Sequence, residues 1–91
     1  MSDSRSSDTL LKFPCDFTIK VFGLANEEFE STVYMLIHQH VPNLSDRAIQ
    51  ARKSDNGKYC ALSINIHVHS KQQLDDIYRD LSSSSCVLMA L

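Results

Sequence analysis

Glycine is scarce in this chain: only Gly23 and Gly57 occur in 91 residues. A glycine-rich loop of the kind that cradles phosphates is therefore absent. Long apolar runs are missing as well. None approaches the roughly 20 residues that a membrane-spanning helix needs. Met1 to Leu10 also lacks the apolar centre of a secretory signal. There is no basic excess: the formal charge of −2 gives none of the positive footprint of a general nucleic-acid binder. Cysteine is limited to Cys15, Cys60 and Cys86, an odd number at no metal-like spacing. These absences predict a cytoplasmic, reducing location, with the thiols acting as small buried hydrophobes. They predict neither a membrane nor a nucleic acid among the partners.

What is present reads as one small domain. A chain this short buries roughly 60–65% of the surface it exposes when unfolded, enough for a single core. Residues 1–10 read as a polar, disordered tail, since Ser2 to Thr9 has nothing to bury. Residues 11–91 read as the domain.

From Asp16 to Gly23 the sequence alternates. Phe17, Ile19 and Val21 share one face; Asp16, Thr18, Lys20 and Phe22 share the other. Period two predicts a half-buried strand, ended by Gly23 at a tight strand-to-helix turn. Asn26 is the expected N-cap of a helix, and Glu27 and Glu28 suit its positive end. Phe29, Val33, Leu36, Ile37 and Val41 then form an apolar stripe at helical spacing, stopped by Pro42. A second strand is expected over Leu44 to Ser54, with Ile49 and Ala51 inward. Its Arg47, Gln50, Arg52 and Lys53 mark it as a sheet edge. Asp55-Asn56-Gly57 signals a tight primed hairpin turn. Tyr59 to His69 alternates cleanly, with Cys60, Leu62, Ile64, Ile66 and Val68 directed to the core. Ser70 and Gln73 predict a capping box, Leu74, Ile77, Tyr78 and Leu81 a second helical stripe, and Ser82 to Ser85 the loop after it. Cys86 to Leu91 reads as a last apolar strand.

The order βαββαβ has one economical solution. It is an α+β plait of the ferredoxin-like type: a four-stranded antiparallel sheet with two helices on one face.

Function must come from a site, because this architecture hosts many. The open sheet face lacks the paired stacking aromatics of an RNA-recognition domain. The loop Phe22-Gly23-Leu24-Ala25-Asn26 lacks the two cysteines of a metal carrier. His38 and His40 diverge on a helix. His67 and His69 share a strand face but have no evident third ligand. No base is placed beside an activated serine or cysteine, so no catalytic residue, cofactor or metal is assigned. What remains is a charge asymmetry. Acid lies mostly on the helices, while the hairpin and sheet face carry Lys20, Arg52, Lys53 and Lys58, with His67 nearby. Such a strip suits an acidic ligand or partner, and equally protects an edge.

Three motifs carry a resemblance: Phe13-Pro14; Phe17-Thr18-x-Lys20-Val21-x-Gly23; and Ser54-x-x-Gly57-Lys58-Tyr59 ahead of a long alternating strand. Together, from Leu11 to Leu91, they resemble the YbeD-like proteins, small bacterial proteins with no assigned activity. The resemblance implies a ferredoxin-like plait similar to ACT domains, regulatory modules that bind amino acids near the first strand–helix loop at a side-by-side dimer interface. Gly23 falls at the corresponding turn, and Phe22 stands where an acidic residue often precedes it.

The reading is thus a non-enzymatic binding or regulatory module for a small anionic or amino-acid ligand. Lys20, Gly23, Arg52, Lys53, Gly57, Lys58 and Tyr59 are its candidate ligand-binding residues. The alternative is a protein-interaction or assembly domain acting through the edge strand Val87 to Leu91 or the open sheet face, homodimerisation included.

Overall fold

The structure, a computed structural model, describes residues 12–91. The expected polar tail, with Leu10 and Leu11, lies outside the described residues. Strand β1 (Cys15–Leu24) leads to helix α1 (Glu27–His40), a 3-10 turn (Asp46–Ala48) and strand β2 (Ile49–Lys53). Strand β3 (Tyr59–Val68), helix α2 (Lys71–Ser83) and strand β4 (Val87–Ala90) follow. The order in the sheet is β2-β3-β1-β4, with every neighbour antiparallel. This is the expected ferredoxin-like plait.

The central pair forms because β1 and β3 both alternate over ten residues, so one register buries both apolar sets at once. Cys15 faces Val68 at one end and Leu24 faces Tyr59 at the other. Ile19, Val21, Leu62, Ile64 and Val68 are sealed from water, together with Phe29, Val33 and Ile37 of α1 and Ile77 and Leu81 of α2. Each such side chain stabilises the fold by about 1.5–3 kcal/mol. Thr18, Lys20, Asn65 and His67 point the other way and are exposed. No helix among the described residues is long and apolar enough to cross a membrane.

Both helix starts are capped as the sequence suggests. Asn26 Oδ1 accepts from the Phe29 N–H at 2.7 Å, and Ser70 Oγ accepts from the Gln73 N–H at 3.1 Å. The reciprocal half of the second box is displaced by one residue: Gln73 Oε1 accepts from the His69 N–H at 2.7 Å, rather than from Ser70. Its Nε2 meanwhile donates to the His40 carbonyl at 2.8 Å. One side chain therefore ties the end of α1 to the start of α2.

Five local expectations need correction. Gly23 does not end β1; it lies within the strand, paired with Cys60, beside the bulge where Val87 of β4 meets it. Its missing Cβ is what matters, since that atom would strike the Phe29 ring and lie 2.7 Å from the Cys86 carbonyl oxygen. The second strand begins only at Ile49, because Leu44 is drawn into the core from the loop and Ser45 caps the 3-10 turn instead. Ala51 shares the helix-facing side with Leu62, its partner, yet is exposed, because the helices do not cover this edge. In the hairpin only Gly57 takes a positive φ, 71°, so Asn56 is not part of a primed turn. Finally, α2 runs through Ser83 and β4 starts at Val87, shortening the loop and strand expected there.

Candidate functional site

Antiparallel pairing brings residues distant in sequence into rows across the open face. Phe22 of β1 faces Ala61 of β3, which in turn faces Arg52 of β2. In the next row towards the hairpin Leu24 faces Tyr59; in the row on the other side Lys20 faces Ser63, which faces Gln50. Ala61 thus sets a methyl group among large neighbours. A hollow of about 490 Å³ results, lined by Phe22, Tyr59 and Ala61 and, along the hairpin, by Arg52, Ser54 and Asp55. Lys53 and Cys60 complete the lining.

The hairpin wall is held by its own hydrogen bonds. The Gly57 N–H donates to the Ser54 carbonyl at 2.8 Å. Asn56 Oδ1 accepts from Ser54 Oγ at 2.7 Å and from the Lys58 N–H at 3.0 Å. The Ala25 N–H donates to the Lys58 carbonyl at 2.9 Å, fastening the loop after β1 to the hairpin. Lys58 Nζ lies 5.5 Å from the centre of the Tyr59 ring, within cation–π range.

The described residues form ion pairs elsewhere: His40–Asp80, His67–Asp16, Lys71–Asp75 and Arg79–Asp76. Lys20, Arg52, Lys53 and Lys58 take part in none of these pairs, and neither does Asp55. The basic side chains near the hollow therefore enter no ion pair among the described residues, and the Asp55 carboxylate shares the lining with them.

Of the sequence-derived candidates, the hollow gathers Arg52, Lys53 and Tyr59, with Gly57 and Lys58 next to it in the hairpin. Lys20 stands one row away on the same face. Gly23 is not brought there; it is buried beneath Phe29 on the helix side. His67, expected beside the basic strip, pairs with Asp16 at the far end of β3, eight residues or about 26 Å from Tyr59. Phe22, Ala61 and Asp55 were not among the candidates. They become visible only when the hairpin is closed at Gly57 and the strand register is counted outward from it.

The hollow holds no poised nucleophile. Ser54 Oγ is engaged with Asn56 and with the Tyr59 N–H. Cys60 is buried, and burial pushes its thiol up from the ordinary 9.0, with the Glu30 charge adding to the effect. It stays protonated at neutral pH and is a poor nucleophile. The histidines are engaged separately: His40 Nε2 lies 2.6 Å from Asp80 Oδ2, joining the two helices, and His38 stacks on Tyr34. His67 and His69 meet edge to face. Among the described residues no three His, Cys, Asp or Glu side chains are grouped so as to hold a metal ion.

A second surface adjoins the hollow. Leu88, Met89 and Leu91 are 62%, 51% and 60% exposed, and no charged residue occurs from Val87 to Leu91. The opposite edge, β2, carries Arg52 and Lys53.

Comparison with known proteins agrees with this architecture. Residues 8–91 match the family model described as "Protein of unknown function (DUF493)". The UPF0250 protein of Janthinobacterium sp. (strain Marseille) is 36% identical over 91 residues, covering all of both chains. That of Vesicomyosocius okutanii is 37% identical over 88 residues, covering 97% of this chain and 96% of its own. The solution structure of protein HP0495 from H. pylori superposes with a TM-score of 0.69 at 17% identity, over 89% of this chain and 85% of the other. The fold is thus shared with a solved structure, and at this level of identity over its whole length the chain belongs to the DUF493 family of UPF0250 proteins, the YbeD-like family that its motifs resemble.

Proposed function

We propose that this protein is a binding module without catalytic machinery of its own, and that it takes a small anionic ligand on the open sheet face beside the hairpin as a regulatory signal. One observation carries this reading: the row Phe22–Ala61–Arg52 forms a hollow whose cations enter no ion pair among the described residues. An arginine in this position offers a planar fork that matches a carboxylate or phosphate. The site is open to water, so screening keeps the attraction modest and millimolar affinity is expected, about −4 kcal/mol.

Titration of the isotopically labelled protein with inorganic phosphate and with acetate tests the reading. Amide shifts are expected at Arg52, Tyr59 and Ala61, weakened several-fold in Arg52→Gln. Absence of shifts, or shifts that Arg52→Gln leaves unchanged, would remove the anion site.

A second reading, an assembly domain, is favoured by the uncharged and exposed β4 edge. An apolar strand with free backbone groups is a template for another chain.

A further inference from the structure

Resting on the reading that the hollow receives an anion, its shape and polarity narrow the ligand further. We infer that the ligand is a planar aromatic monoanion. Its ring lies over the Ala61 methyl between Phe22 and Tyr59, its carboxylate turns to Arg52, and an amine or hydroxyl donor turns to Asp55.

The register supplies the dimensions. Facing residues on neighbouring strands have Cβ atoms about 4.5–5.5 Å apart. Phe22 and Arg52 face Ala61 from opposite sides. The Cβ atoms of Phe22 and Arg52 are therefore about 10 Å apart, with the Ala61 methyl as the floor between them. One aromatic ring fits that width.

The walls select an aromatic body over an aliphatic one of equal size. Phe22 and Tyr59 both line the hollow, in adjacent rows on the same face. Offset or edge-to-face contact with aromatic walls is worth about two- to tenfold in affinity beyond simple burial. Lys58 over the Tyr59 ring holds that wall in place.

Asp55 limits the charge. It lines the hollow on the hairpin side, beyond Arg52 and Ser54, and has no ion-pair partner among the described residues. A second anionic group at that end would meet like charge, whereas an amine or hydroxyl would find an acceptor. The ligand is thus anionic at one end only.

Titration of the full chain, followed by amide shifts, with acetate, cyclohexanecarboxylate, benzoate, 4-aminobenzoate and terephthalate tests the inference. Benzoate is expected to bind at least about fivefold more tightly than acetate and more tightly than cyclohexanecarboxylate. 4-Aminobenzoate should exceed benzoate, and terephthalate should fall below it. Ala61→Leu, which fills the space above the floor, should bring benzoate and cyclohexanecarboxylate to equal affinity. Equal affinity for acetate, cyclohexanecarboxylate and benzoate would overturn the aromatic assignment and leave the anion site standing. Terephthalate binding as well as 4-aminobenzoate would overturn the role of Asp55. No binding by any anion would remove both the inference and the site beneath it. Aromatic shifts confined to Leu88, Met89 and Leu91 would likewise overturn it.

Discussion

Gly23 and Gly57 are needed for opposite reasons. At Gly57 the backbone itself requires glycine, because φ is +71° and nothing lies within 4 Å of where a Cβ would stand. At Gly23 the backbone is ordinary strand, and the requirement is space beneath the Phe29 ring and the Cys86 carbonyl. Both residues follow turn-like or strand-ending text, so sequence alone assigns them the same role. Only the packing of α1 on β1 separates them. Gly23→Ala is expected to destabilise the fold by about 1–3 kcal/mol through overpacking, read as a lower urea midpoint at unchanged slope. Gly57→Ala should cost about 1–2 kcal/mol through strain in the left-handed region, with Gly57→Asn milder. A Gly23→Ala midpoint equal to that of the parent protein would mean that Phe29 does not sit against this glycine.

At the scale of elements, the readable features were those that repeat within one segment. The period-two text of β3 gave its inward set without error, because a one-residue slip would have put Ile64 and Ile66 in water and Ser63 and Asn65 in the core. Both N-caps were legible from a polar residue three places before a free N–H. What failed depended on neighbours: Ala51 is inward by alternation but bare, since no helix crosses that edge. The hairpin loop departs from the primed turn its text suggests because Asn56 works through its side chain rather than through its φ. Gln73 also does more than its motif predicts, bridging His69 and His40. Gln73→Ala should lose both bonds, at about 1–2 kcal/mol in all, whereas Gln73→Glu keeps the acceptor for the His69 N–H and should lose less. A Gln73→Glu midpoint equal to that of the parent protein would show that the bond to the His40 carbonyl does not couple the helices. Asn26→Ala, a loss of about 1 kcal/mol at one cap, is the scale against which both are judged.

For the whole molecule, the topology was legible because the order βαββαβ leaves few ways to pair four strands under two helices. The site was not, because it exists only across β1, β3 and β2 in one register. The same sheet places two unlike edges at its ends. β2 carries Arg52 and Lys53, which deter pairing with another chain; β4 carries no charge and exposes Leu88, Met89 and Leu91. β4 also meets β1 only along Val21 to Gly23, with the Leu91–Lys20 backbone bonds just beyond. Its short length and its bulge limit extended pairing, so association through this edge should be weak and driven by apolar burial rather than by charge. The protein is therefore expected to self-associate at high micromolar concentration, with little loss on adding salt. Met89→Lys should abolish that association and leave the melting temperature of the dilute protein nearly unchanged, because the side chain is half exposed and sits on an edge. Sedimentation equilibrium decides it: a single monomer mass up to millimolar protein, or association that Met89→Lys does not alter, would show that β4 is a shielded edge and not a contact.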